Sequence, residues 1–293
     1  MDFFVVPWTF TASPPVCEKM HSGNFSWIVE HRAVGVEILR YRLVHVTNRY
    51  GLNVQTLILP TTVYPNRTHT DRDLSVEDFP VWVTTSFMNI RELLIELPNV
   101  NIWSGIPKFL PVVPGVHFAI HDRERSIVVE FLGGKTYVHE NPRGVITNTR
   151  YNITNVYLEQ IDQRVINRIS IHHFQGSLPR AARLSQSLQY YAKQPARDIH
   201  SLFIAIRHSL DMVNVMSGSE YVTRYNHTLT GFTQWKSIYL HPNNRSTIFG
   251  LQSYWSPNWY LYDLENLDDY TTYGNWAVNL HSDSPRWIDL PKV

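Results

Sequence analysis

Apolar and β-branched residues alternate with polar ones over residues 34–46, and a second such run spans 51–59 after a polar turn at 47–50, a pattern that predicts a hairpin of two strands. Residues 65–73 are polar and turn-rich. Ser75 precedes Asp78 at the spacing of a capping box, and Phe87, Ile90, Leu94 and Leu97 follow at helical spacing, so a helix is expected there. The clearest strand signal lies in residues 126–148. Ile127, Val128, Val129 and Phe131 form a short apolar run, Gly133 and Gly134 supply a tight turn, and Thr136, Tyr137 and Val138 resume with strand-forming residues. With residues 117–122 ahead of it and a polar turn at 122–125, this predicts an antiparallel meander. Ala181, Leu184, Leu188 and Tyr191 recur at helical spacing, as do Leu202, Ile206, Leu210 and Val213 beyond Pro195, which predicts a helical pair. Strands return at 235–240, 247–252 and around 259–264. Grouped helices and hairpin-linked strands favour an α+β fold with antiparallel sheets covered by helices over a doubly wound parallel sheet. No linker or internal repeat divides the chain, so residues 1–293 are read as a single domain.

Composition narrows the function classes. A formal net charge of +1 and scattered Lys and Arg give no field or patch for nucleic acid, which excludes it as an expected partner. No apolar run approaches the roughly 20 residues of a membrane helix. The single cysteine, Cys17, rules out an intramolecular disulfide and any thiolate cluster. Nine Trp, 16 Tyr and 13 Phe are enough to line apolar pockets as well as fill a core. Asn24, Asn66, Asn152, Asn226 and Asn244 stand in Asn-x-Ser/Thr sequons, a pattern that matters only in a secretory pathway. The pair His172-His173 has no carboxylate at metal-ligand spacing, and adjacent strand residues face opposite ways, so no metal is expected.

Several motifs, in order, carry a family resemblance. The 126–148 block, ending Asn141-Pro142-Arg143-Gly144-Val145-Ile146-Thr147-Asn148, is similar to the central hairpin of the choloylglycine hydrolase and penicillin V acylase family. Thr47-Asn48-Arg49-Tyr50-Gly51-Leu52 resembles that family's Asn-containing turn, and Trp27 followed by Val34-Gly35-Val36 resembles the strand just upstream. Ala182-Arg183-Leu184 sits where the family has Ser-Arg-Phe, and Phe232-Thr233-Gln234-Trp235 resembles a further motif before the last strand pair. Met1-Asp2-Phe3-Phe4 looks like the second half of the family's Arg-Asn-Met-Asp motif.

The resemblance implies an N-terminal nucleophile hydrolase fold, a four-layer αββα sandwich with two antiparallel sheets, lacking its first strand segment here. It implies cleavage of linear amides by an N-terminal cysteine whose own α-amine serves as base, with no cofactor. Asn48 and Asn148 would form the oxyanion hole, one through its backbone N–H and the other through its side-chain amide. Asp2 would be the site aspartate, and Arg183 would hold site geometry through its planar fork. Asn148 is followed by Thr where the family commonly has Pro, and Arg183 lacks the flanking Ser and Phe. The nucleophilic cysteine is absent. Cys17 lies too close to Asn48 and is followed by Glu-Lys rather than Thr, so a truncated N-terminus is expected, with no turnover by the chain as written. The implied partner is a small amphipathic amide. Dimers and tetramers are family expectations, and members occur both in the cytoplasm and exported. A non-catalytic binding or structural homologue and a glycan-binding β-sandwich are the alternatives.

Overall fold

The computed structural model describes residues 8–13, 16–38, 42–104, 115–165, 176–194, 196–215, 220–224, 227–231, 233, 235–242, 247–253 and 259–265. The strands are β1 (Trp8–Ala12), β2 (Lys19–Ser22), β3 (Phe25–Ile28), β4 (Ala33–Ile38), β5 (Arg42–Asn48), β6 (Asn53–Ile58), β7 (Asp73–Ser75), β8 (Asn101–Trp103), β9 (Val116–His121), β10 (Ser126–Leu132), β11 (Lys135–Glu140), β12 (Glu220–Arg224), β13 (His227–Gly231), β14 (Trp235–Leu240), β15 (Ile248–Ser253) and β16 (Tyr260–Asp263). The helices are α1 (Phe79–Ser86), α2 (Ile90–Glu96), α3 (Tyr151–Val165), α4 (Ser177–Lys193) and α5 (Ile199–Asp211).

Seven strands form one antiparallel sheet in the order β1-β4-β5-β6-β9-β10-β11, and three form a second in the order β14-β15-β16. Strand alternation gives the large sheet two different faces. Leu52, Val54, Phe118, Ile120, Ile127, Val129 and Phe131 meet Phe79, Trp82, Ile90 and Leu93 of α1 and α2 in the main core. Register puts His45, Gln55, Ala119 and Val128 on the opposite face. The second sheet lies there: Trp235 stands edge-on to His45 at 5.7 Å, and Ser237 Oγ lies 3.4 Å from His45 Nδ1. On β14 the intervening Ile238 and Leu240 turn the other way, onto Phe203, Ile206 and Leu210 of α5. The layers are therefore helix, sheet, sheet, helix, as the α+β expectation has it.

The structure corrects the sequence reading in particular places. The run 34–46 is two strands, β4 and β5, paired antiparallel; no Gly, Pro or Asn marks the reversal between them, so hydrophobic pattern alone hides it. The predicted single helix is broken at residues 87–89, where Asn89 accepts the N–H of Glu92 and caps a fresh helix, α2. Helix α3 is absent from the sequence reading although Tyr151, Thr154, Leu158 and Ile161 are buried at helical spacing. Ile153 and Val156 are exposed on its outer side, so apolar residues stand on both faces and blur the stripe. Strands β10, β11 and β14 fall at their predicted bounds.

Candidate active site

Asn48 closes β5 and is fully buried. Its N–H donates to Leu52 O at 3.0 Å, its Oδ1 accepts from the N–H groups of Tyr50 (3.0 Å) and Leu52 (3.2 Å), and its Nδ2 donates to Thr84 O (3.0 Å) and Phe87 O (2.8 Å). These carbonyls belong to the end of α1, where backbone acceptors lack helical partners. One side chain thus folds the β5–β6 turn and caps a helix. Each donor of Asn48 is committed to a backbone carbonyl, so the expected oxyanion role meets a residue already engaged.

The turn is packed from the second sheet as well. Gly51 has φ +96°, and a Cβ there would stand 2.8 Å from His241 Nδ1. Thr247 Oγ1 donates to Arg49 O at 3.2 Å and lies 3.1 Å from His241 Nδ1. Arg123 Nε donates to Tyr50 O at 3.2 Å and its NH1 to Pro242 O at 2.8 Å, bridging the turn to the chain beyond β14. Burial pushes His121 and His241 down to about 4, with neighbouring Arg123 adding to the effect at His241 and Asp122 opposing it at both. Burial likewise lowers His31, against the pull of Glu30 and Glu92. Near neutral pH the turn is ringed by neutral imidazoles.

Register carries this end of the sheet across to the second motif. Thr47 pairs with Asn53, Asn53 with His121, and His121 with Ser126, while Asn141 N–H donates to Ser126 O at 2.8 Å. Asn48 and Asn141 therefore share one end of the sheet, separated by four strand steps, about 19 Å. From Asn141 the segment turns, Gly144 N–H donating to Asn141 O at 3.0 Å, and runs on to Tyr151, whose N–H meets Glu130 of β10. In it Val145 and Thr147 are buried and Asn148 is exposed, with no hydrogen-bond partner among the described residues. Val145 packs with Leu158 and Ile161 of α3 and Ala181 and Ala182 of α4. That contact brings the Asn148 segment beside the helix of Arg183, whose Nε donates to Met212 O at 2.9 Å and so ties α4 to the end of α5.

Cys17 is exposed in the turn before β2 with φ +71°, and its backbone N–H donates to Val29 O, so its nitrogen is a hydrogen-bonded amide rather than a free amine. Asp2, Phe232, Gln234, His172 and His173 lie outside the described residues. Among the described residues no group of three His, Cys, Asp or Glu side chains has metal-holding geometry, and no helix is long and apolar enough to cross a membrane. Asn24, Asn66 and Asn152 are not buried; Asn226 and Asn244 lie outside the residues whose side chains are described.

Sequence reasoning missed Asn53, whose Nδ2 donates to Gly51 O and His121 O at 3.3 Å each while its buried Oδ1 has no partner. Its place directly after the Gly51-Leu52 turn was the available signal. It also missed His241, which reaches the turn from the far end of the chain; no local pattern could announce that contact.

Two bile salt hydrolase/transferases, one from Bifidobacterium longum and one from its subspecies longum, are each 32% identical to this chain over 110 residues. The match takes in 34% of this chain and spans 32% of the length of these curated relatives. Among solved structures, the fold is similar to penicillin V acylase from Agrobacterium tumefaciens, with a TM-score of 0.70 at 18% identity over 88% of this chain and 78% of that one. It is also similar to a conjugated bile acid hydrolase from Clostridium perfringens, with a TM-score of 0.67 at 20% identity over 89% of this chain and 86% of that one. The αββα layering is thus the fold of the N-terminal nucleophile hydrolases. Residues 26–175, which include both Asn48 and Asn148, match the model of the linear amide C–N hydrolases, choloylglycine hydrolase family, and the chain belongs to that family.

Proposed function

We propose that this chain carries the oxyanion side of a linear-amide hydrolase acting on a small amphipathic acyl amide of the conjugated bile salt, penicillin V or N-acyl type. The observation that carries the reading is a contrast between two motif residues: Asn148 has an exposed carboxamide on a segment fastened at both ends, whereas the donors of Asn48 are consumed by backbone carbonyls. A tetrahedral intermediate needs a prealigned donor aimed at its oxygen, and Asn148 Nδ2 is such a donor. Asn48 holds the turn, Arg183 holds α4 against α5, and Asp2 belongs to the site through its motif. The nucleophile this reading requires is a cysteine with a free α-amine, and Cys17, mid-chain with its N–H donated to Val29 O, does not supply one. Residues 1–293 alone accordingly do not turn over substrate.

The test is hydrolysis of glycine-conjugated bile salt, penicillin V and an N-acyl homoserine lactone by residues 1–293 and by a form extended upstream to a free N-terminal cysteine. The extended form is expected to release amine and the shorter one not to. Turnover by residues 1–293 that survives Cys17→Ala would contradict the proposal. The saturation of Asn48 favours one second reading, a non-catalytic homologue that binds without cleaving; a stop codon in the upstream frame would support it.

A further inference from the structure

Glu130 on β10 is 1% exposed and points to the sheet face opposite α1 and α2. Its Oε1 accepts the N–H of Tyr151 at 2.8 Å and lies 3.0 Å from Nδ1 of His117, itself fully buried on β9. Its Oε2 stands 3.7 Å from Nε2 of His139 on β11 and takes no hydrogen bond. A carboxylate withdrawn from water is costly unless its hydrogen bonds are made. Here the cost is set against one backbone donor at the first residue of α3, where N–H groups lack helical partners and the helix dipole favours an anion.

That donor has a position that matters. Tyr151 is the third residue after Asn148. Its hydroxyl donates back to Glu140 O at 2.7 Å and Asn141 Oδ1 at 3.3 Å, while Asn141 Nδ2 donates to Ser126 Oγ at 3.0 Å. The segment 141–151 is therefore fastened to one strand, β10, at Ser126 at its start and at Glu130 at its end, with Val145 holding its middle against α3 and α4.

We infer that Glu130, held by His117, is a positioning residue for the amide hydrolysis: through the Tyr151 N–H it fixes where the Asn148 carboxamide points. The inference rests on the reading of Asn148 as the oxyanion donor. Glu130 touches no reacting atom; it removes the freedom of the segment that does, which is where prealigned donors draw their effect.

Hydrogen exchange of segment 141–151 in residues 1–293, read beside kcat and KM in the cysteine-bearing form, tests it. Glu130→Ala is expected to speed exchange of the segment about tenfold or more, the scale of losing one charge-assisted hydrogen bond, and to lower kcat by a similar factor with KM nearly unchanged. Glu130→Gln keeps an Oε1 acceptor and should restore both to within about threefold. If Glu130→Ala does not fold, Glu130→Asp, which draws the acceptor back by one methylene from the Tyr151 N–H, is expected to speed exchange and lower kcat in the same direction, and unchanged exchange there would overturn the inference equally. Unchanged exchange in Glu130→Ala would overturn the inference, as would faster exchange with kcat intact. If Asn148→Ala itself leaves kcat unchanged while exchange still responds to Glu130, the oxyanion reading fails and the clamp alone stands.

Discussion

Asn48 and Asn148 both stand in family-like motifs and differ in their surroundings. Asn48 is buried and spends both faces of its amide on backbone groups of the β5–β6 turn and the end of α1. Asn148 is exposed and spends nothing, while its neighbours Val145, Thr147 and Tyr151 are buried. The same side chain is a fold-holding knot in one place and a presented donor in the other. On the proposed reading, residue type and motif position alone do not separate the supporting amide from the reacting one; the hydrogen-bond account of each donor does.

The comparison can be broken first at the knot. Asn48→Ala leaves two buried carbonyls and two N–H groups without their partner and is expected to cost about 3 kcal/mol or more. That is a melting-point loss of roughly 6 °C or more by calorimetry. A loss under about 1 kcal/mol would mean that the turn is held by its neighbours instead.

The next effect follows from pH. His45, His121 and His241 have an ordinary value of 6.5 and are held at about 4 in the folded protein, burial being the main cause at each. Below pH 6.5 the unfolded chain binds protons that the folded one refuses, so stability is level above about 7, falls between 6.5 and 4, and levels again beneath. Part of each residue reaches the surface, so the total is put at roughly 2 kcal/mol rather than the full sum of about 1.4 kcal/mol per unit per group. Asp73 acts in a lower window. Burial would raise it, but hydrogen bonds from Asn101, Thr68 and the adjoining backbone outweigh that and hold it at about 2, below its ordinary 3.8. The stability it contributes is complete above 3.8 and lost as pH falls to about 2. Urea midpoints measured from about pH 8 to 3 would show the histidine decline first; a flat profile from 6.5 to 4 would contradict the assignment.

Gly51→Ala should cost about 1–3 kcal/mol, since the left-handed φ is strained for any other residue and the new methyl meets His241. Pairing it with His241→Ala should return part of that loss, in a double-mutant cycle by urea unfolding. The smallest stability effect belongs to Asn148→Ala, within about 0.5 kcal/mol of the parent, because an exposed amide without partners holds nothing.

Much of this was legible in the sequence, and unevenly so. The hairpin of β10 and β11 was read to the residue because Gly133-Gly134 and an apolar run mark it locally. Residues 34–46 were misread because their reversal carries no turn chemistry, and α3 was missed because apolar residues stand on both its buried and its exposed side. The motifs located Asn48 and Asn148 in the chain, but nothing local to residue 48 says that Thr84 and Phe87 will consume its amide. Glu130 was read as part of an apolar strand; its partners His117, His139 and Tyr151 meet it only through strand register and the docking of α3.

The central claim is tested most directly by amine release from a conjugated bile salt in the cysteine-bearing form, parent against Asn148→Ala. The account predicts a fall in kcat of about 10²–10³-fold, the scale of losing one oxyanion donor, with stability unchanged. Equal kcat in the two proteins would contradict it.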